Sequence, residues 1–398
     1  MTFGPDDGGP DSPFEHRSLD LRFDLSASFG WPRVWSEWRR RRQRAASFSP
    51  EPLAQLIQEE HVDLLVIDIE EHETMIAGLA IENCPPIAVL NSFFNLSPST
   101  TTPPLHSSLL PGHDVSARTR IGLAWISGWL IAEKDSLYRR LRSDGLSRHE
   151  LLRTLARTQG VRHALTRWEW LRPFVPKGLP VLQATAVELD LPHASARNVH
   201  PIGPLLEPIA DSAALDDVLQ DAVETSRRGG VPLVICVFGA FMAGEQEFMD
   251  RLAAATQLRP DIQFIVADDG QHERWRNATN VVVTPWLPQR QLLDVAAAAI
   301  VHSGTGTLHE CVASAVPTVV YPFAFNDQPG NATRIAHHGL GVLGDRVNDS
   351  AEAIAGRLDE VIAAGPIRDR LSSFAAALAR YDDDMVAVRT VEQLLSDP

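Results

Sequence analysis

Residues 284–341 read TPWLPQRQLLDVAAAAIVHSGTGTLHECVASAVPTVVYPFAFNDQPGNATRIAHHGLG, and their punctuation decides the fold. The apolar run Val295 to Val301 ends in His302, so Ala298–His302 predicts a short buried strand. Gly304 and Gly306 follow, where the backbone can turn and approach a ligand closely. Leu308–Ala315 predicts a helix, Val316–Tyr321 a second strand, and the stretch after Asn331 a second helix. A helix that starts behind a glycine loop offers free N–H groups and a positive dipole end to an anion. Glu310 falls about one turn into that helix, where a carboxylate can accept from ribose hydroxyls. Asp327 and Gln328 follow the next strand, at the end where open α/β sheets bind ligands.

A lone glycine loop is weak evidence, but here four motifs stand in order. They are Trp286-Leu287-Pro288-Gln289, His302-x-Gly304-x-Gly306-Thr307-x-x-Glu310, Val316-Pro317, and Asp327-Gln328-x-x-Asn331-Ala332. The set resembles the donor signature of family 1 nucleotide-sugar glycosyltransferases, the UDP-glycosyltransferase superfamily, nearest its bacterial natural-product and lipid-like-acceptor branches. The resemblance implies an α/β fold of GT-B type, two facing Rossmann-like parallel-sheet domains. It implies Trp286 stacked on the base with the Leu287 backbone reading its edge, and Gln289 within the same donor motif. His302, the Gly304–Thr307 N–H groups and the Thr305 or Thr307 hydroxyl would hold the diphosphate. Glu310 would hold the ribose, and Asp327 and Gln328 the sugar. The loop opened by Gly239 resembles the first phosphate-facing loop, although Ala240 lacks the usual hydroxyl. Two further departures are visible: Ser303 and Ala315 stand where the family pattern has glycine.

The 398 residues suit two domains of ordinary size, and 44% hydrophobic content is ample for their cores. A net charge of −15 argues against nucleic acid and anionic membrane as main partners. Cys84, Cys236 and Cys311 lack metal or redox spacing and read as reduced core residues. With no recognisable leader, a cytoplasmic protein is expected. The longest apolar run, Ile121–Ala132, is too short to span a bilayer; peripheral membrane contact stays open, and oligomeric state is unreadable.

Along the chain, Leu19–Leu25 alternates as a strand would, and Arg39–Arg42 reads as a solvated basic turn. Strands at Val62–Ile69 and Ile87–Leu90 alternate with helices at Pro52–Glu60 and Met75–Ile81, the pattern of a parallel doubly wound sheet. Ser92–Pro111 is a long Ser/Thr/Pro loop. The helix at Arg120–Arg142 carries Trp125 and Trp129 on one face, and Trp168 and Trp170 follow. These aromatics read as core, or else as the wall of an apolar acceptor pocket or a membrane-facing lid. The expected division is 1–205 for the acceptor domain, 206–230 for an acidic linker, 231–380 for the donor domain, and 381–398 for a helix that crosses back, as in the family.

The reading is an inverting, metal-independent transfer of a sugar from a UDP- or dTDP-sugar to a hydroxyl of a lipophilic small molecule. No bound cofactor is expected; the nucleotide sugar is a co-substrate. Asp268-Asp269 and Asp382–Asp384 read as solvated acids rather than a metal site. The catalytic base is the difficulty. Family members open with a strand and a Gly-His turn, whose histidine deprotonates the acceptor and is oriented by an Asp. Asp68 matches that Asp, but no such strand and turn precede it, and the first domain is expected to lack them. His72 is the candidate stand-in. A catalytically impaired donor-binding protein, and a sugar-nucleotide epimerase or hydrolase of the same architecture, remain alternatives.

Overall fold

The computed structural model of the chain describes residues 48–94, 98–141, 148–161, 178–193, 197–206, 215–238, 245–268, 272–323 and 327–396. The readings at Leu19–Leu25, Arg39–Arg42, Trp168, Trp170 and the Gly239 loop lie outside them. The first unit contains α1 (Glu51–Glu59), β1 (Leu65–Asp68), α2 (His72–Ala80), β2 (Ile87–Asn91), α3 (Val115–Leu141), α4 (Arg148–Thr158), β3 (Val181–Gln183) and β4 (Val199–Pro201). Its four strands lie side by side in chain order, all parallel. Short Val/Ile/Leu runs separated by helices give this result because both faces of a parallel sheet are covered.

The second unit contains α5 (Asp217–Gly229), β5 (Leu233–Val237), α6 (Gln246–Gln257), β6 (Gln263–Ala267), β7 (Val281–Thr284), α7 (Gln289–Leu293), β8 (Ala298–Val301), α8 (Thr305–Ala313), β9 (Thr318–Val320), α9 (Gln328–His338), β10 (Gly341–Leu343), α10 (Ala351–Ile362), α11 (Gly365–Asp383) and α12 (Val386–Ser396). Its sheet runs β10-β9-β8-β5-β6-β7, all parallel, the order of a dinucleotide-binding sheet. The strand order reverses between β5 and β8. Strand β5 is buried throughout, sending Leu233, Ile235 and Val237 into one core and Val234 and Cys236 into the other. Helix α8 begins at Thr305, three residues earlier than the sequence pattern suggests, because Gly304 already acts as its N-cap.

The stretch 206–230, read as an acidic linker with a weak helix, contains the 13-residue helix α5. Asp216 caps α5 by accepting from the Leu219 N–H at 2.8 Å, and Gly230 ends it in the left-handed region at φ 62°. Leu219, Ala222 and Val223 join the core under β5, so this helix belongs to the second unit's packing.

Both positions where the sequence departs from the family's glycine adopt left-handed backbone: Ser303 at φ 68° and Ala315 at φ 51°. At Ala315 the geometry closes α8, with the Val316 N–H bonded to the Cys311 carbonyl at 2.8 Å. Elsewhere a glycine is kept for contact. Gly203 has φ 78°, and a Cβ there would lie 2.2 Å from the Tyr381 ring of α11. Beyond it α12 lays Ala387, Val391 and Leu394 on the first sheet, against Ala88, Leu182 and Ile202.

Two substitutions should move stability in opposite directions. Ala315→Gly relieves a left-handed alanine and should stabilise by roughly 0.5–1 kcal/mol, after allowing for the freer unfolded chain. Gly203→Ala adds both left-handed strain and a clash, and should cost about 2 kcal/mol or more. Urea melts of the two variants against the parent check both signs.

Candidate functional site

The site grows from the point where the second sheet reverses its strand order. His302 follows the last residue of β8 and is buried at 8% exposure; its Nδ1 lies 3.3 Å from the Val237 carbonyl at the end of neighbouring β5. A carbonyl only accepts, so Nδ1 carries the proton and a neutral ring leaves Nε2 bare. Burial holds the His302 pKa below its usual value, opposed by the Val237 bond and by Asp327. Gly304 is needed for the histidine itself: a Cβ there would sit 2.7 Å from Nε2. Gly306 faces open space. The first intrahelical bond of α8 is Leu308 N–H to the Gly304 carbonyl. The N–H groups of Thr305, Gly306 and Thr307 therefore have no place in the helix ladder, beside the His302 ring. Such an arrangement can cradle an anion.

A compact polar knot fixes the cradle. The Asn331 amide donates to the Ser303 carbonyl at 3.0 Å, the Thr305 hydroxyl at 3.0 Å and the Asp327 carboxylate at 2.8 Å. Thr305 in turn donates to Asp327 at 3.0 Å, so this hydroxyl holds the loop together and is already engaged. The Ser303 hydroxyl donates to the Gln328 carbonyl at 2.9 Å, which gives the left-handed serine a bond that glycine cannot make. Gln328 is 6% exposed, and its amide oxygen accepts from the Phe323 N–H at 2.9 Å. On the other side Gln289, opening α7, donates to Glu310 on α8. Trp286 is 72% exposed, while the next residue, Leu287, is buried. The structure thus gathers Trp286, Leu287, Gln289, His302, Gly304–Thr307, Glu310, Asp327 and Gln328 around the C-terminal ends of β7, β8 and β9. Gly239 lies outside the described residues.

The first unit is less obliging. The Asp68 carboxylate, at the end of β1, accepts from the Glu70 N–H at 2.8 Å and fixes a local turn. His72 is fully buried at the start of α2. That burial weighs against His72 as the stand-in base, since a base must meet an acceptor arriving from solvent. Asp268 is corrected: it is not a solvated acid but accepts from the Trp275 indole at 2.8 Å and pairs with Arg274 at 3.4 Å. The loop 98–111 is tied to α3 by the Trp125 indole, which donates to the Thr102 carbonyl at 3.0 Å. Leu123, Ile126 and Leu130 line an exposed apolar stripe on the same helix.

Sequence reasoning missed the contacts that join the two units. Arg334 of α9, 1% exposed, pairs with Asp190 across the interface. Its guanidinium lies 4.4 Å from the Phe94 ring centroid. Burial draws the Arg334 pKa down and Asp190 opposes it. The Gly330 N–H bonds the Leu105 carbonyl at 2.6 Å, so the loop 98–111 touches the first turn of α9, next to its N-cap Asp327. His309 is buried and bonded to both units. The only sequence signal was position, since Arg334 and His309 each sit beside buried apolar neighbours on their helices.

The family model described as "UDP-glucoronosyl and UDP-glucosyl transferase" matches residues 163–372, over half the chain, and the chain belongs to that family. The zeaxanthin glucosyltransferase of Pantoea ananas is 26% identical over 214 residues, 52% of this chain and 47% of that protein. UDP-glucuronosyltransferase 1A8 of Rattus norvegicus is 37% identical over 87 residues, 21% of this chain and 16% of that one. The chain therefore matches about half or less of the length of these relatives. Among solved structures, the glycotransferase of kitacinnamycin superposes with a TM-score of 0.64 at 18% identity, over 90% of this chain and 82% of that one. The glycosyltransferase VinC in complex with DTDP gives 0.59 at 16% identity, over 92% and 80%. These likenesses place the fold as GT-B. No helix among the described residues is long and apolar enough to cross a membrane.

Burial pushes the His309 pKa down to about 4 from an ordinary value of 6.5. A histidine buried neutral stabilises fully above its unfolded pKa and loses that contribution as pH falls toward its folded pKa. Between pH 6.5 and 4 the parent should lose on the order of 3 kcal/mol relative to a His309→Phe variant. Thermal melts of the two proteins across that window check it; parallel curves would refute it.

Proposed function

We propose that the chain moves a sugar from a UDP- or dTDP-sugar to a hydroxyl of a lipophilic small molecule, with inversion at the anomeric carbon and without a metal ion. One observation carries the reading: the buried His302 stands beside the unladdered N–H groups of α8, with the exposed Trp286 ring in the same donor group. A nucleoside diphosphate has the complementary parts, a flat base and a compact double anion. As the bond from the anomeric carbon to the diphosphate oxygen breaks, negative charge grows on that oxygen. Helix N–H groups aimed at it stabilise the transition state more than the ground state. His302 would add a charge-assisted bond by taking a proton on Nε2, which an arriving dianion favours. The Gln289–Glu310 pair would open toward the ribose hydroxyls, and Asp327 lies where a sugar would follow the phosphate.

The relatives support the finer parts. One is named for glucosyl transfer to zeaxanthin, and one similar structure holds DTDP. The exposed stripe of α3 and the loop that touches Gly330 support an apolar acceptor approaching from the first unit. Donor binding with weak transfer is the second reading, favoured by the burial of His72.

Calorimetry with UDP and dTDP tests the donor site. His302→Ala should weaken binding by roughly 1.5–3 kcal/mol. Binding by the parent should also take up protons near neutral pH, visible as a buffer-dependent heat that the variant lacks. Unchanged affinity in both His302→Ala and Glu310→Ala would sink the assignment.

An acceptor screen of flavonoids, macrolides, sterols and carotenoid alcohols against free sugars tests the other half. The apolar compounds should be glycosylated and the sugars not. Transfer to free sugars alone would refute the acceptor class, and UDP binding with no transfer to any acceptor would favour the second reading.

A further inference from the structure

Five consecutive residues after β3 each hold the second unit. The Ala186 N–H donates to His309 Nε2 at 3.3 Å. The Val187 N–H donates to the Tyr381 hydroxyl at 3.2 Å, which donates to Glu188 at 3.0 Å. The Leu189 carbonyl accepts from His338 at 3.1 Å, and Asp190 pairs with Arg334. Four of these bonds reach α9 or α11. Only the first reaches α8, the helix whose N-terminus forms the anion cradle.

His309 is built to carry force along that first bond. It is 2% exposed, and its ring centroid lies 5.5 Å from that of Phe94. Its Nδ1 donates to the Thr305 carbonyl at 2.9 Å, in the first turn of α8. Its Nε2 must accept, because its partner is a backbone N–H. A single neutral tautomer satisfies both bonds, and each polarises the other along the line Ala186 N–H, imidazole, Thr305 carbonyl. Thr305 is also the residue whose hydroxyl holds Asp327. Any shift of the first turn of α8 therefore acts on both the cradle and the imidazole.

We infer that His309 is a positioning residue: it couples occupancy of the α8 anion cradle to the 186–190 segment of the acceptor-side unit. This rests on the reading of the cradle as the site of a nucleoside diphosphate. An occupied cradle would tighten the first turn of α8, and the rigid imidazole would pass that ordering to Ala186, so that the acceptor side is firmest when the donor is present. A histidine that only filled space would not need two bonds of opposite polarity to two different units.

Hydrogen exchange on the full chain, with and without UDP, tests this. In the parent, UDP should slow exchange at residues 304–308, and at 186–190 by about threefold or more. His309→Gln can keep one donor and one acceptor and should retain both effects. His309→Phe keeps the ring volume without nitrogen; it should retain the effect at 304–308 and lose it at 186–190. Ala186→Pro removes the same bond from the other end at a backbone φ of −71° that proline accepts, and should uncouple in the same way. If His309→Phe merely melts earlier while UDP still protects 186–190, the coupling is absent and the inference falls alone. If UDP protects nothing at 304–308 in the parent, the donor site itself is misassigned and both readings fall.

Discussion

A buried ion pair governs the arrangement of this molecule. Arg334 and Asp190 come from different units and are almost wholly removed from water. Taking two charges out of water is expensive, and only good geometry with further bonds offsets it. The surroundings supply them: Arg334 also donates to the Gly330 carbonyl at 3.0 Å, Phe94 presents its ring face, and Asp190 also accepts from the Leu191 N–H at 2.7 Å. Losing one partner of such a pair typically costs about 3–5 kcal/mol, because the other is left charged and buried. The apolar part of the interface depends on the same closure. Phe94, Leu105, Ala186 and Leu189 of the first unit are continuous with the core of the second. Each sheet keeps core residues of its own, and these four join the two units along an apolar seam.

This closure sets the surroundings of the loop and helix start after His302. The cradle at α8 belongs to the second sheet alone, since the sheet's reversal of strand order leaves a crevice between β5 and β8. Its neighbours do not. The first turn of α9, next to Asp327, is held by Leu105, and the helix carrying the cradle is held by Ala186 through His309. Transfer between two substrates requires that their sites be fixed relative to each other to within about an ångström. Buried polar bonds across the interface supply such a constraint, because they have direction where apolar packing has little.

The two family glycines replaced here show how a chain keeps a backbone shape without its usual residue. Ser303 stays left-handed because its hydroxyl bonds the Gln328 carbonyl, which binds the cradle loop to the start of α9. Ala315 stays left-handed because the end of α8 needs that geometry to satisfy its last carbonyls. Nothing packed against Ala315 returns an equivalent bond, so its strain is held by the surrounding core.

The sequence by itself determined the fold and the glycine-bounded helix start after His302. Apolar runs of four to six residues between helices specify buried parallel strands, and the glycine-bounded turn after His302 specifies a helix start. These are local properties of backbone and side chain, so they are legible one segment at a time. Tertiary structure decided the rest. That His72 is enclosed, that Asp268 is an internal partner of Trp275, and that His309 is bonded twice all depend on neighbours far away in the chain. Arg334 and Asp190 are 144 positions apart, and nothing in the residues around either one specifies the other. A charge on a helix reads as solvated unless its partner is known, and the fold alone brings that partner within reach.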